Sequence, residues 1–104
     1  MNQTANALRG EARFQLGNRQ LRLRPSFENL VAAEEEIGSL FALVERASEG
    51  ALTLTEVSAL IWHCIDTDPR PSREDVGQSV LKQGLIDTTK PVRAILSQVL
   101  QGQS

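Results

Sequence analysis

Apolar and polar residues alternate along residues 11–24, and the pattern then changes to the longer period of helices. Gly17-Asn18 interrupts the alternation. Such a dipeptide is typical of a two-residue hairpin loop, which requires positive φ. A turn here predicts three pairs on a largely apolar face: Ala12 with Leu23, Phe14 with Leu21, and Leu16 with Arg19. The polar face pairs Glu11 with Arg24, Arg13 with Arg22, and Gln15 with Gln20. We therefore predict a β-hairpin packed on helices, since a lone hairpin is marginal in water.

The first predicted helix follows the hairpin directly. Ser26 is a good N-cap after Pro25, so the helix is expected from Phe27 to Ala47. Gly38 weakens its middle, because glycine is a poor helix former. The apolar stripe expected to face the core consists of Phe27, Leu30, Val31, Ile37, Leu40, Phe41 and Val44.

Three further helices are predicted from their capping residues. The first of them starts near Thr53 or Thr55, where Thr53 and Glu56 have the spacing of a capping box. The next starts at Ser72, and the last at Thr88 or Thr89. The third predicted helix ends at Gly84, and the fourth tolerates Pro91 in its first turn. Their apolar faces consist of Val57, Leu60, Ile61, Cys64 and Ile65; of Val76, Val80 and Leu81; and of Val92, Ile95, Leu96, Val99 and Leu100.

The predicted fold class is α+β and mostly helical, with an N-terminal β-hairpin followed by about four α-helices in one small domain. A chain of 104 residues fits a single domain, which we assign to residues 1–104. Within it, residues 1–9 are expected to be flexible, 11–24 to form the hairpin and 26–102 to form the helical part.

Composition and charge narrow the range of partners. A net charge of −2 gives no electrostatic basis for binding nucleic acid or an anionic membrane. The longest apolar stretch, Ala59 to Ile65, is too short to span a bilayer, and residues 1–9 lack the apolar core of a signal peptide. The single cysteine, Cys64, excludes a disulfide within the chain, so we expect a cytoplasmic protein.

Few residues have the chemistry for catalysis or metal binding. His63, the only histidine, and Cys64 diverge by about 100° on a helix and cannot pair with each other. Glu34, Glu35 and Glu36 spread around their helix instead of converging on one ion, which favours a solvated face. We therefore expect no enzyme, no cofactor and no metal site.

Two features could contact a partner protein. The hairpin carries four arginines, Arg13, Arg19, Arg22 and Arg24. They indicate either an anionic partner or, as we prefer, an exposed strand face whose charges prevent edge-to-edge pairing. Trp62 lies beside the apolar stripe of its helix, where it is either a core residue or an anchor for a partner. The candidate partner contacts are Arg24, Leu60, Ile61 and Trp62.

A sequence motif extends from the N-terminus into the first predicted helix. It consists of Asn6, Arg9, Gly10 and Glu11, then Gly17, then Leu23, Arg24, Pro25, Ser26 and Phe27, with Leu30 and Glu34 in the helix. With this motif the chain resembles the gene-transfer-agent tail assembly chaperones, a family of small proteins of phage-like particles. The resemblance continues along the whole chain but is less specific in the C-terminal half. It supplies no active-site residues.

The resemblance implies a non-catalytic chaperone in the bacterial cytoplasm, encoded by a prophage or a gene transfer agent. Such a chaperone would bind the tape measure protein during tail assembly, and the tail tube protein is a second candidate partner. The alternative is a structural tail component, a tube or completion protein, in which hairpin edges would pair between subunits. A small DNA-binding module is a third hypothesis, which the acidic balance disfavours.

Overall fold

The computed structural model describes residues 12–101, which form a two-stranded antiparallel sheet followed by five helices. The elements are β1 (Ala12–Leu16), β2 (Arg19–Leu23), α1 (Phe27–Ile37), α2 (Leu40–Ser48), α3 (Leu54–Cys64), α4 (Arg73–Gln83) and α5 (Leu85–Gln101). The predicted flexible segment 1–9 and the motif residues Asn6, Arg9, Gly10 and Glu11 lie outside the described residues. The predicted fold class is confirmed, with one helix more than expected.

The hairpin has the register that its turn predicts. All five predicted pairs between residues 12 and 23 are present, while the pair of Glu11 with Arg24 lies outside the described residues. Gly17 has a φ of +60°, the left-handed conformation that glycine adopts without steric cost. Phe14, Leu21 and Leu23 are buried in the core, so the apolar face of the hairpin packs on the helices as predicted.

The segment after α3 lies along the outer edge of β2. The Arg24 N–H donates to the Cys64 carbonyl at 2.6 Å, and the Asp66 N–H donates to the Arg22 carbonyl at 3.0 Å. At the edge of β1, the side-chain amide of Gln83 donates to the Gln15 carbonyl at 2.7 Å. These contacts occupy part of both strand edges. Pairing of hairpin edges between subunits stays a prediction of the structural alternative, and at the edge of β2 a second strand would first have to displace these contacts.

The first predicted helix is in fact two helices, α1 and α2. Gly38 has a φ of +92° and ends α1, and its N–H donates to the Glu34 carbonyl at 2.9 Å. The Ser39 hydroxyl caps α2 by accepting from the Ala42 N–H at 3.2 Å. The Glu34 carboxylate accepts from the Leu40 N–H at 3.1 Å. The break is therefore stabilised by local caps that satisfy the helix ends.

This break changes which residues face the core. Leu40 and Leu43 of α2 are buried as predicted for a core-facing stripe, but Phe41 is 67% exposed. Phe27, at the start of α1, is 85% exposed. The prediction that both phenylalanines belong to the core stripe is wrong. Phe41 follows the break at Gly38, across which the helical period does not continue, and Phe27 is the first residue of α1, whose buried residue is Ala33.

Helix α3 lies at the centre of the helical part. The predicted capping box is present: the Glu56 N–H donates to the Thr53 hydroxyl, and the Thr53 N–H donates to the Glu56 carboxylate. All five predicted apolar residues of this segment are buried, and α1, α4 and α5 pack against the helix. The predicted cap of α4 is also present, since the Ser72 hydroxyl accepts from the Asp75 N–H at 3.0 Å.

Helix α5 begins at Leu85, one turn earlier than predicted. Thr88 and Thr89 therefore lie inside its first turns instead of capping it, and Pro91 is an interior residue. The Thr88 hydroxyl lies 3.2 Å from the Gly84 carbonyl, and the Thr89 hydroxyl donates to the Leu85 carbonyl at 3.1 Å. These side chains supply donors to carbonyls in the turns before Pro91, which itself has no N–H.

No helix among the described residues combines the length and the apolar character needed to cross a membrane.

Two glycine substitutions test the break between α1 and α2. Gly38→Ala should lower the free energy of unfolding by about 1 kcal/mol or more, because a side chain at a φ of +92° is strained. The matched control is Gly77→Ala inside α4, where a new Cβ would meet only the Ser58 hydroxyl at 3.6 Å. That substitution should raise stability by up to about 1 kcal/mol. Both are measured by urea denaturation, and a stabilising Gly38→Ala would indicate one continuous helix.

Candidate functional site

A polar cluster joins α1, α3 and α4 at one side of the core. The Arg73 guanidinium donates two hydrogen bonds to the Glu36 carboxylate, both 2.8 Å long. His63 is the second partner of that carboxylate, with its Nε2 atom 2.8 Å from Oε1 of Glu36. His63 is buried, so this hydrogen bond satisfies an imidazole that would otherwise lose its contact with water. We call Glu36, Trp62, His63, Arg70 and Arg73 the Glu36 cluster.

Trp62 is held in this cluster by both its polar and its apolar atoms. Its indole Nε1–H donates to the Pro71 carbonyl at 2.8 Å. The guanidinium carbons of Arg73 and Arg70 lie 4.1 Å and 4.9 Å from its ring centroid, within the range of cation–π attraction. The side chain is half-buried, and its position is fixed from several directions. These contacts account for Trp62 as a structural residue at the flank of α3.

Arg70 closes the C-terminal end of α3. Its Nη2 donates to the His63 carbonyl at 3.0 Å, and its Nε donates to the Ile65 carbonyl at 3.2 Å. The same Nη2 lies 3.1 Å from Oδ1 of Asn29 in α1. Carbonyls at a helix C-terminus have no partner within the helix, so a guanidinium stabilises them and offsets their partial negative charge.

The ionisation states follow from these contacts. Hydrogen bonds from Arg73, and then from His63, lower the pKa of Glu36 from its ordinary value of 4.5 to about 2. The hydrogen bond to Glu36 likewise raises the pKa of Arg73. Burial raises the pKa of the Cys64 thiol to about 12, so the thiol is protonated at neutral pH and is a poor nucleophile. Residues 12–101 contain no group of three or more His, Cys, Asp or Glu side chains that could hold a metal ion.

The candidate partner contacts lie in different environments. Leu60 and Ile61 are both 0% exposed, so the structure removes them from any surface that a partner could touch. Trp62 is half-buried under the two arginines. The Arg24 side chain is half-exposed, 3.8 Å from the Asp66 carboxylate. The four residues therefore do not form one contact surface.

The described motif residues have structural positions. Gly17 forms the hairpin turn, Leu23 is buried, and the Ser26 hydroxyl caps α1 by accepting from the Asn29 N–H at 3.1 Å. Pro25 lies between β2 and that cap. Leu30 packs against the core and Glu34 binds the start of α2, whereas Phe27 lies on the surface.

An open groove of about 360 Å³ runs between α3 and α4 beside the Glu36 cluster. Its apolar rim includes Leu54 and Leu81, both exposed. The small residues Ser58, Ala59 and Gly77 lie along it and leave the space between the helices unfilled. The sequence pattern does not predict this groove, and it places Leu81 on the apolar face of its helix with Val76 and Val80, which are buried whereas Leu81 is exposed. The signal that could have indicated it is the presence of small residues on two helices that pack together.

Fold and surface together define a small, mostly helical α+β domain with an apolar groove and a structural polar cluster. The sequence model of the family described as phage tail tube protein, GTA-gp10, matches residues 9–102. This match covers most of the chain, so the protein belongs to that family and is a protein of phage or gene-transfer-agent tails. The resemblance to gene-transfer-agent tail proteins is thereby confirmed, although the family description names a tube protein and not a chaperone. Searches of curated proteins and of solved structures found no match.

The lowered pKa of Glu36 predicts how stability depends on pH. Above pH 4.5 the carboxylate is ionised in the folded and the unfolded chain, and its contacts with Arg73 and His63 contribute fully. As the pH falls from 4.5 towards about 2, the unfolded chain takes up this proton first, so the contribution is lost. Glu36→Gln should therefore reduce stability at neutral pH and reduce the loss between pH 4.5 and about 2.

Urea denaturation across this pH range measures the effect. Glu35→Gln, a change at an exposed position next to Glu36, is the control and should keep the acid sensitivity of the wild type. Equal acid sensitivity in both variants would show that the contacts of Glu36 do not contribute to stability.

Proposed function

We propose that this protein is a non-enzymatic structural component of a phage-like tail, a tube or completion protein that works through contacts with other proteins. The observation that carries this proposal is the match of residues 9–102 to a family described as tail tube proteins. Tail assembly of this kind takes place in the bacterial cytoplasm and calls for no membrane and no nucleic acid as partner.

The surface of the described residues supports contact with proteins. Seven large apolar side chains are exposed: Phe27, Phe41, Leu54, Leu81, Leu85, Ile86 and Leu100. They belong to all five helices, so several sides of the domain can bury apolar area against neighbours. The Glu36 cluster gives no support to an enzymatic function. Its carboxylate, from Glu36, and its guanidinium, from Arg73, bind each other and join two helices.

The amount of this protein in finished particles tests the proposal. A structural component should remain in purified particles in many copies after salt washing, because its contacts are part of the tail. Quantitative mass spectrometry of intact particles, with the capsid protein as internal reference, measures this copy number. A protein abundant in producing cells but absent from purified particles would contradict the structural role.

A second candidate function, a chaperone of the tape measure protein, is supported by the groove between α3 and α4. Helix-in-groove recognition needs an apolar cleft with room for side chains, and Leu54, Leu81 and the small residues between them supply one. In this case Leu81→Asp should abolish capture of tape measure segments without lowering the melting temperature, since Leu81 is exposed. Leu100→Asp, also exposed but outside the groove, is the control. Equal binding by both variants would exclude the groove as the binding site.

A further inference from the structure

The solvent side of α1 and α2 is acidic and carries two exposed phenylalanines. We call this surface the acidic face, formed by Phe27, Glu28, Glu34, Glu35, Phe41 and Glu45, all of them exposed. From residue 27 to residue 49 the chain contains six glutamates and one basic residue, Arg46. Arg46 binds Glu56 of α3, so its charge is already compensated. The acidic face thus combines negative charge with apolar area.

The solvent side of α5 has the opposite charge. We call this surface the basic face, formed by Ile86, Lys90, Arg93, Ser97 and Leu100, which are exposed and recur at intervals of four and three residues along the helix. Ile86 is 87% exposed and Leu100 is 52% exposed. The one acidic residue of α5, Asp87, is rotated by about 100° from Ile86 around the helix and lies at the side of this face.

The two faces lie on different helices. Helix α1 packs mainly on α3, whereas α5 packs on α2, which carries the Phe41 part of the acidic face, and on α3, α4 and β1. Each face is the side of its helix turned away from these contacts. Two different surfaces that complement each other define a heterologous contact, which continues from one copy to the next.

We propose that copies of this chain associate head to tail, with the acidic face of one copy against the basic face of the next. Lys90 and Arg93 would meet the carboxylates of the acidic face, while Ile86 and Leu100 would cover its phenylalanines. This inference rests on the proposed function, because a structural component that repeats along a tail must contact its own copies.

Charge and size both favour a second copy of this chain as the partner of each face. The charges of the two faces are opposite in sign, which steers encounter and penalises the pairing of like faces. One side of a molecule with extents of 32 × 32 × 24 Å offers roughly the 800 Å² that each partner buries in a standard interface. The exposed apolar side chains at both faces supply area that is removed from water on contact.

A charge exchange between two variants tests this pairing. Variant A carries Lys90→Glu and Arg93→Glu, and variant B carries Glu28→Lys, Glu35→Lys and Glu45→Lys. Each should lose self-association, with a dissociation constant at least about tenfold higher than that of the wild type, because both of its faces then have the same sign. An equal mixture of A and B should regain association, since each face again meets one of opposite charge.

Analytical ultracentrifugation of the full chain, at several concentrations and at low and physiological salt, gives the measurement. A third variant, Arg19→Glu with Lys82→Glu, changes the net charge as variant A does but at exposed positions outside both faces, and it should associate like the wild type. Circular dichroism verifies that every variant is folded. A monomeric wild type at all concentrations, or variants A and B that associate like the wild type, would overturn the proposal.

The failure of this inference can be told from the failure of the proposed function. Self-association through the two faces, together with absence from purified particles, would keep the inference and reject the structural tail role. Abundance in particles, together with unchanged association of A and B, would keep the tail role and reject the pairing of these faces.

Discussion

The backbone pairing of β2 with the segment that ends α3 is the constraint on which the rest of the fold depends. Leu60, Ile61, Cys64 and Ile65 are almost fully removed from water, and Ile65 forms a β-bridge with Leu23. A two-stranded hairpin is marginal alone, so this third segment and the helices behind it supply the stability that two strands lack. Helices α1, α4 and α5 then pack around α3, which explains why one helix holds much of the core.

His63 lies within this buried segment, and its side chain is polar and can ionise. Its imidazole needs a hydrogen-bonding partner because burial removes water. Glu36 accepts that role, and Arg73 compensates the carboxylate, so that α1, α3 and α4 become joined through one charged group. Glu36, His63 and Arg73 therefore fix three helices relative to one another.

Local signals were sufficient to predict most elements of this fold. A few neighbouring residues determine the turn at Gly17-Asn18 and the caps at Ser26, Thr53 and Ser72, so the sequence alone predicts them. The Glu36 cluster was missed because Glu36 is 27 residues from His63 and 37 from Arg73 along the chain. The break at Gly38 was underestimated, because helix period alone does not reveal that Glu34 and Ser39 cap the ends it creates. The groove depends on how α3 and α4 pack and so was also beyond sequence analysis.

The exposure of Phe27 and Phe41 connects this core to the surface of the molecule. The break at Gly38 interrupts the helical period before Phe41, and both rings lie in water among glutamates. The Glu36 cluster fixes the orientation of α1 on α3, and the packing of α5 on α3 fixes the position of the helix that carries the opposite charge. The angle between these two surfaces is therefore a property of the folded core. For a heterologous contact, that angle decides whether successive copies close into a ring or continue as a filament.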